Sequence, residues 1–153
     1  MFPSNAERVP LNTDPAINEC IYRETLTAIE CAASRGRAGI ADRLDQLDRE
    51  WDIERAIEAN ASSLMMIGLA LGLLGKRRFL LLPAAVGVFL LQHALQGWCP
   101  PVPILRRLGY RTQTEIELER IALKALRGDF SGVQVPGSEP AAAAAAALLA
   151  AER

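Results

Sequence analysis

Three cysteines and a single histidine are the residues of this 153-residue chain whose side chains could do chemistry beyond packing. Cys20 and Cys31 stand eleven apart, which is neither the gap of a redox pair nor a zinc-ligand spacing. They fall in a segment that reads as helix and are expected to be packing residues. His93 and Cys99 lie six apart on either side of a helix end. Haem or metal ligation by His93 needs further ligands, and the sequence offers none nearby, so no metal, cofactor or catalytic residue is expected. Cys99 is the strongest chemical candidate. It follows Trp98, which marks a membrane–water boundary, and precedes Pro100-Pro101, so its thiol is expected to be reachable from water. Reactivity requires thiolate, and a fold-back of Ile104 to Leu108 would bring Arg106 and Arg107 toward the sulfur and lower its pKa. This supports one functional hypothesis, a sulfur or redox relay at the membrane surface.

A second group is polar and sits in apolar surroundings. If the chain reverses near Arg77, antiparallel packing sets Gln92 near Ser62, His93 near Ala61 and Gln96 near Glu58. Lipid offers such groups no partners, so Glu58, Ser62, Gln92, His93 and Gln96 are expected to form an interhelical polar cluster. Two helices enclose no channel, which makes the cluster a register clamp and not a transport path. Gly68 and Gly72 form a GxxxG that permits close helix contact, within one chain or between two copies, and they are the candidates for a dimer contact.

These residues need helices to hold them, and the composition supplies helices. Ala and Leu number 25 and 22, against 21 Val, Ile and Thr together, a balance that favours an all-α fold. Seventeen Lys and Arg oppose eighteen Asp and Glu, so there is no cationic excess for nucleic acid. The apolar residues are clustered. Residues 59–75 and 79–105 contain no Asp, Glu, Lys or Arg, and Lys76-Arg77-Arg78 separates them. Phe79 to Trp98 is long enough, at about 1.5 Å per residue, to span the roughly 30 Å hydrocarbon core. Asn60 to Gly75 is shorter, and the pair is expected to insert together as a transmembrane helical hairpin. The alternative is a buried hairpin in a soluble helical bundle acting as an interaction module. The leucines of the second segment surround its whole circumference, whereas a soluble helix keeps a polar face.

Six Arg near the outer ends of the hairpin, against three cations in its turn, put both termini in the cytoplasm of a multi-pass inner-membrane protein. The flanks read as amphipathic helices. Thr13-Asp14-Pro15 supplies an N-cap with Pro at the first helical position. Ile40, Leu44, Leu47 and Trp51 form one stripe, and since no Gly or Pro interrupts 40–67, this helix is expected to run on into the membrane. Thr112 and Glu115 have capping-box spacing, and Gly128 ends that helix. The expected division is 1–58, N-terminal cytoplasmic helices; 59–98, the hairpin; 99–130, a juxtamembrane segment and helix; and 131–153, an alanine-rich flexible tail with a marginal helix.

The segment Phe79 to Phe130, above all Leu91-Gln92-His93-Ala94-Leu95-Gln96-Gly97-Trp98-Cys99-Pro100-Pro101, resembles the YgaP-like transmembrane domain family of small bacterial inner-membrane proteins. Its Gly-aromatic-Cys-Pro signature is met by Gly97, Trp98, Cys99 and Pro100, and the similarity runs over roughly 40–130. The resemblance implies a two-helix hairpin that pairs into a dimer. The family's namesake also carries a rhodanese sulfurtransferase domain, but here Cys20 and Cys31 lie on predicted helices and no strand pattern precedes the hairpin, so that activity is not carried over. The expectation is therefore a small inner-membrane protein, not an enzyme. It would act by homodimerisation or as an accessory to a larger membrane partner, in contact with the lipid bilayer and without nucleic acid.

Overall fold

The computed structural model describes residues 4, 6–75, 77–131, 133 and 140–152. Among these every regular element is helical: α1 (Pro15–Ser34), α2 (Gly36–Leu47), α3 (Ile53–Leu73), α4 (Leu81–Gln96), α5 (Val102–Arg107), α6 (Gln113–Arg127) and α7 (Pro140–Glu152), with 3-10 turns at Pro10–Asn12 and Arg77–Leu80. The all-α expectation holds. The chain forms two compact units, Met1–Tyr22 with Trp51–Thr114, and Arg23–Glu50 with Glu115–Arg153. Both are discontinuous in sequence, so they cut across the linear division into 1–58, 59–98, 99–130 and 131–153.

The first unit holds both long apolar helices. Asp14 starts α1 as the sequence indicates, its Oδ1 accepting the Ala16 amide at 2.9 Å. The expected continuous helix over 40–67 does not form. Asp52 accepts the Arg55 amide at 2.6 Å, and the Ile53 amide donates to the Arg111 carbonyl at 2.8 Å, so α3 begins afresh at Ile53. An N-cap carboxylate and a distant carbonyl satisfy amides that helix continuation would otherwise have paired. α3 ends at Leu73, and Gly75 turns the chain in the left-handed region, φ 94°. After the 3-10 turn, α4 packs along α3. Gly97, φ 76°, ends α4, and the prolines that follow lead into the short helix α5. The buried centre of this unit is Val9, Ile53, Ile57, Cys99 and Val102.

The second unit is built around Ala32, Ile40, Leu44, Leu47, Ile116 and Leu123. The stripe read on residues 40–47 is its contribution from α2. α6 starts directly after Thr112, as the capping-box spacing predicts, and Gly128, φ 88°, ends it. Inside this unit Glu119 is 1% exposed and takes a two-pronged ion pair from Arg43, Nε to Oε1 at 2.6 Å and Nη2 to Oε2 at 3.0 Å. The helix expected within the alanine-rich tail is α7, and it is tied to the unit: Ala150 is buried, and the Lys124 ammonium donates to the Ala151 carbonyl. A cation on the last carbonyls completes a helix end that water would otherwise solvate. Residues 134–139 of the expected tail lie outside the described residues.

Candidate functional site

The site sits where the last turn of α4, the start of α3 and the N-terminal arm meet in the first unit. Its architecture begins with the two glycines. A Cβ on Gly68 would lie 2.6 Å from Pro83 Cδ and 3.2 Å from the Phe79 carbonyl oxygen, and one on Gly72 would collide with the Leu80 side chain. The GxxxG is therefore buried inside the chain, where absent side chains let α3 meet the start of α4 closely. Of the two contacts the sequence allowed, within the chain or between two copies, this conformation uses the first, with both glycines buried.

The register also differs from the expectation. The chain reverses at Gly75 and not at Arg77, which slides α4 along α3 by about one helical turn. Ala61, expected opposite His93, shares an apolar groove of about 250 Å³ with Phe89 and Leu90, floored by Ile57 and closed by Cys99 and Pro100-Pro101. Glu58, Ser62 and Gln96 are exposed, Gln92 is half-buried, and His93 is buried. Among the described residues no hydrogen bond joins Glu58, Ser62, Gln92, His93 and Gln96 to one another, so the clamp expected from their spacing is absent.

What engages the end of α4 is the N-terminal arm. Arg8 Nη1 donates to the Ala94 carbonyl at 2.9 Å, and Asn12 Nδ2 donates to the Gln96 carbonyl at 2.7 Å. These side chains satisfy carbonyls that a helix terminus leaves without intrahelical partners. The same Arg8 faces Glu54 on α3, Nη2 to Oε1 at 4.0 Å, and lies close enough to His93 to act on it electrostatically. Three side chains here carry buried polar atoms with no hydrogen-bond partner: Arg8 Nε, Glu54 Oε2 and both ring nitrogens of His93. Such atoms cost free energy unless something fills the gap. In the first turn of α1, Asn18 Nδ2 donates to the Pro10 carbonyl and its Oδ1 accepts from buried Arg106 at 2.8 Å. Sequence reading missed Arg8, Asn12 and Asn18. Polar residues near a polar terminus look solvated, and only contacts across more than eighty residues reveal their role.

Cys99 departs from its expectation. It is 2% exposed and packs with Val9, Ile53, Ile57 and Val102. α5 does follow it, but Arg106 turns to Asn18 and to the Tyr110 carbonyl. Burial pushes the Cys99 thiol above its ordinary range, and the Val102 amide only partly offsets this. An accessible, activated thiol is thus overturned. Cys20 and Cys31 are exposed, where packing was expected. The remaining motif residues have structural explanations: Gly97 needs its positive φ, Trp98 is half-buried, and Pro100 lines the groove. Among the described residues no group of three His, Cys, Asp or Glu is placed to hold a metal ion.

Two helices of this all-α chain, the α3 span Ile53–Leu73 and the span Arg77–Gln96 containing α4, are long and apolar enough to cross a bilayer, and most of their residues face away from the chain's interior. Residues 52–115 match the family described as inner membrane protein YgaP-like, transmembrane domain. The match begins at the α3 N-cap and ends in the first turn of α6, nearly the Trp51–Thr114 part of the first unit. No curated protein and no solved structure matches the chain.

Proposed function

We propose that the protein is a small integral inner-membrane protein without catalysis, whose α3 and α4 cross the bilayer as a hairpin with both termini in the cytoplasm. It acts by self-association or as an accessory to a larger membrane partner. The observation that carries this reading is the direction of the apolar side chains. Leu73 is 84% exposed, Leu74 80% and Leu81 72%, while the small residues Gly68, Gly72 and Ala61 face inward. A soluble bundle would bury those leucines against protein. A membrane protein gives them to lipid, or to a second set of membrane helices. The soluble-bundle alternative is disfavoured on the same ground, and the thiol relay by the burial of Cys99.

Carbonate extraction at high pH tests the membrane assignment, since apolar burial in lipid survives loss of ionic contacts. The protein is expected in the pellet, and release into the supernatant overturns the reading. Reporter fusions at each end test orientation: both are expected to report cytoplasm. Copurification from mild detergent then separates self-association from a larger partner.

A further inference from the structure

The arm's attachment depends on a half-buried basic group placed beside an imidazole. Arg8 holds the arm to α4 through the Ala94 carbonyl, and its neighbour in the pocket is His93, 6% exposed with neither ring nitrogen hydrogen-bonded. The other charged groups around this pocket are Glu54, facing Arg8 from α3, and Asp52 beside Glu54. Arg106, on α5, is directed to Asn18 and the Tyr110 carbonyl instead. We propose that Arg8, Glu54 and His93 form a proton-operated latch, which holds the N-terminal arm on the end of α4 while the imidazole is neutral and releases it when the imidazole is protonated.

The physical reasoning is local. An imidazolium at His93, the residue next to the Ala94 carbonyl that holds the Arg8 guanidinium, adds a second positive charge in a partly buried setting, where like charges repel. This repulsion acts on Arg8, and moving α4 does not relieve it, because His93 and the Ala94 carbonyl that holds Arg8 are on that same helix. The arm is the movable element: its hold on α4 consists of the Arg8 and Asn12 hydrogen bonds to Ala94 and Gln96, together with the close seat of Gly97 against the Arg8 backbone. Histidine suits such a device because its ordinary pKa, near about 6.5, lies within the range cells visit.

The test follows the arm and the imidazole in the same full-length protein in detergent micelles. His93 is the chain's single histidine, so its NMR titration needs no assignment. A nitroxide is attached through Leu11→Cys, at an exposed arm position, in a Cys20→Ser, Cys31→Ser background, with the Leu11 protein as the control for labelling elsewhere. Between about pH 8 and about pH 5, on either side of ordinary imidazole titration, the label is expected to lose its immobilised component. The midpoint should coincide with that of the imidazole. His93→Gln should keep the arm docked at both pH values, and His93→Lys should leave it mobile at both. An imidazole that does not titrate, an arm that stays docked while it does, or an unchanged pH response in His93→Gln overturns the latch. If His93→Gln does not fold, the coincidence of the two midpoints decides.

Discussion

Gly97 sits with its Cα against the backbone of Arg8, so that a Cβ there would collide with the Arg8 carbonyl, and its φ of 76° is one that other residues adopt only at a cost. The glycine of the Gly-Trp-Cys-Pro motif is therefore required twice, once by the helix end and once by the arm. Gly97→Ala is expected to destabilise the first unit by about 1–3 kcal/mol, combining left-handed strain with the clash. Gly87→Ala is the internal control. Nothing lies within 4 Å of its added Cβ, and it sits inside α4, so it should be neutral or slightly stabilising. Thermal unfolding of both variants in detergent decides, and equal melting temperatures would sink the steric account.

Gly68→Leu with Gly72→Leu should disrupt α3–α4 packing in the monomer, because the added side chains meet Pro83 and Leu80 of the same chain. Overpacking of this kind costs about 1–3 kcal/mol or more per site. The expected result is a lowered melting temperature. Loss of a crosslinked dimer with full monomer stability would instead return the motif to an intermolecular contact.

Maleimide labelling should modify Cys20 and Cys31 well before Cys99, since the first two thiols are exposed and the third is buried with its ionisation disfavoured. Peptide mass analysis after a short exposure at neutral pH reads this directly. The pH dependence carries a sign. A thiol with its pKa raised by folding contributes stability that is fully present below the ordinary thiol pKa and is lost as pH rises through the raised value. The first unit should therefore weaken in alkali, and Cys99→Ala should lessen that dependence.

In the second unit, Arg43→Met removes the two-pronged cationic partner of the buried Glu119 carboxylate and should cost about 3–5 kcal/mol. Arg43→Met with Glu119→Leu should recover much of this loss, because apolar replacement of a buried ion pair is often near neutral. A double variant no more stable than the single one, measured by chemical denaturation, would show that Glu119 matters through its other contacts.

What the sequence determined by itself is whatever depends on neighbours along the chain. Two uncharged segments around Lys76-Arg77-Arg78 are enough to specify apolar helices, because a helix satisfies its own backbone and its length follows from residue count. The stops at Gly97 and Gly128, and the start after Thr112, are equally local. So is the membrane character read from Phe79 to Trp98, and the Gly-Trp-Cys-Pro signature falls inside the segment 52–115 matched to its family. The break before α3 was also written locally, in Asp52, but the uninterrupted 40–67 stretch masked it. Tertiary structure decided who occupies each surface. GxxxG states that something comes close, and only the position of the reversal, at Gly75, shows that it is Leu80 and Pro83 of the same chain. His93 and Arg8 are too far apart in sequence for any periodicity to pair them, and the burial of Cys99 depends on Val9, Ile53 and Val102 arriving from three different segments. Local propensity has no term for such encounters. They are settled by which packing covers the most apolar surface while leaving the fewest buried polar groups without partners.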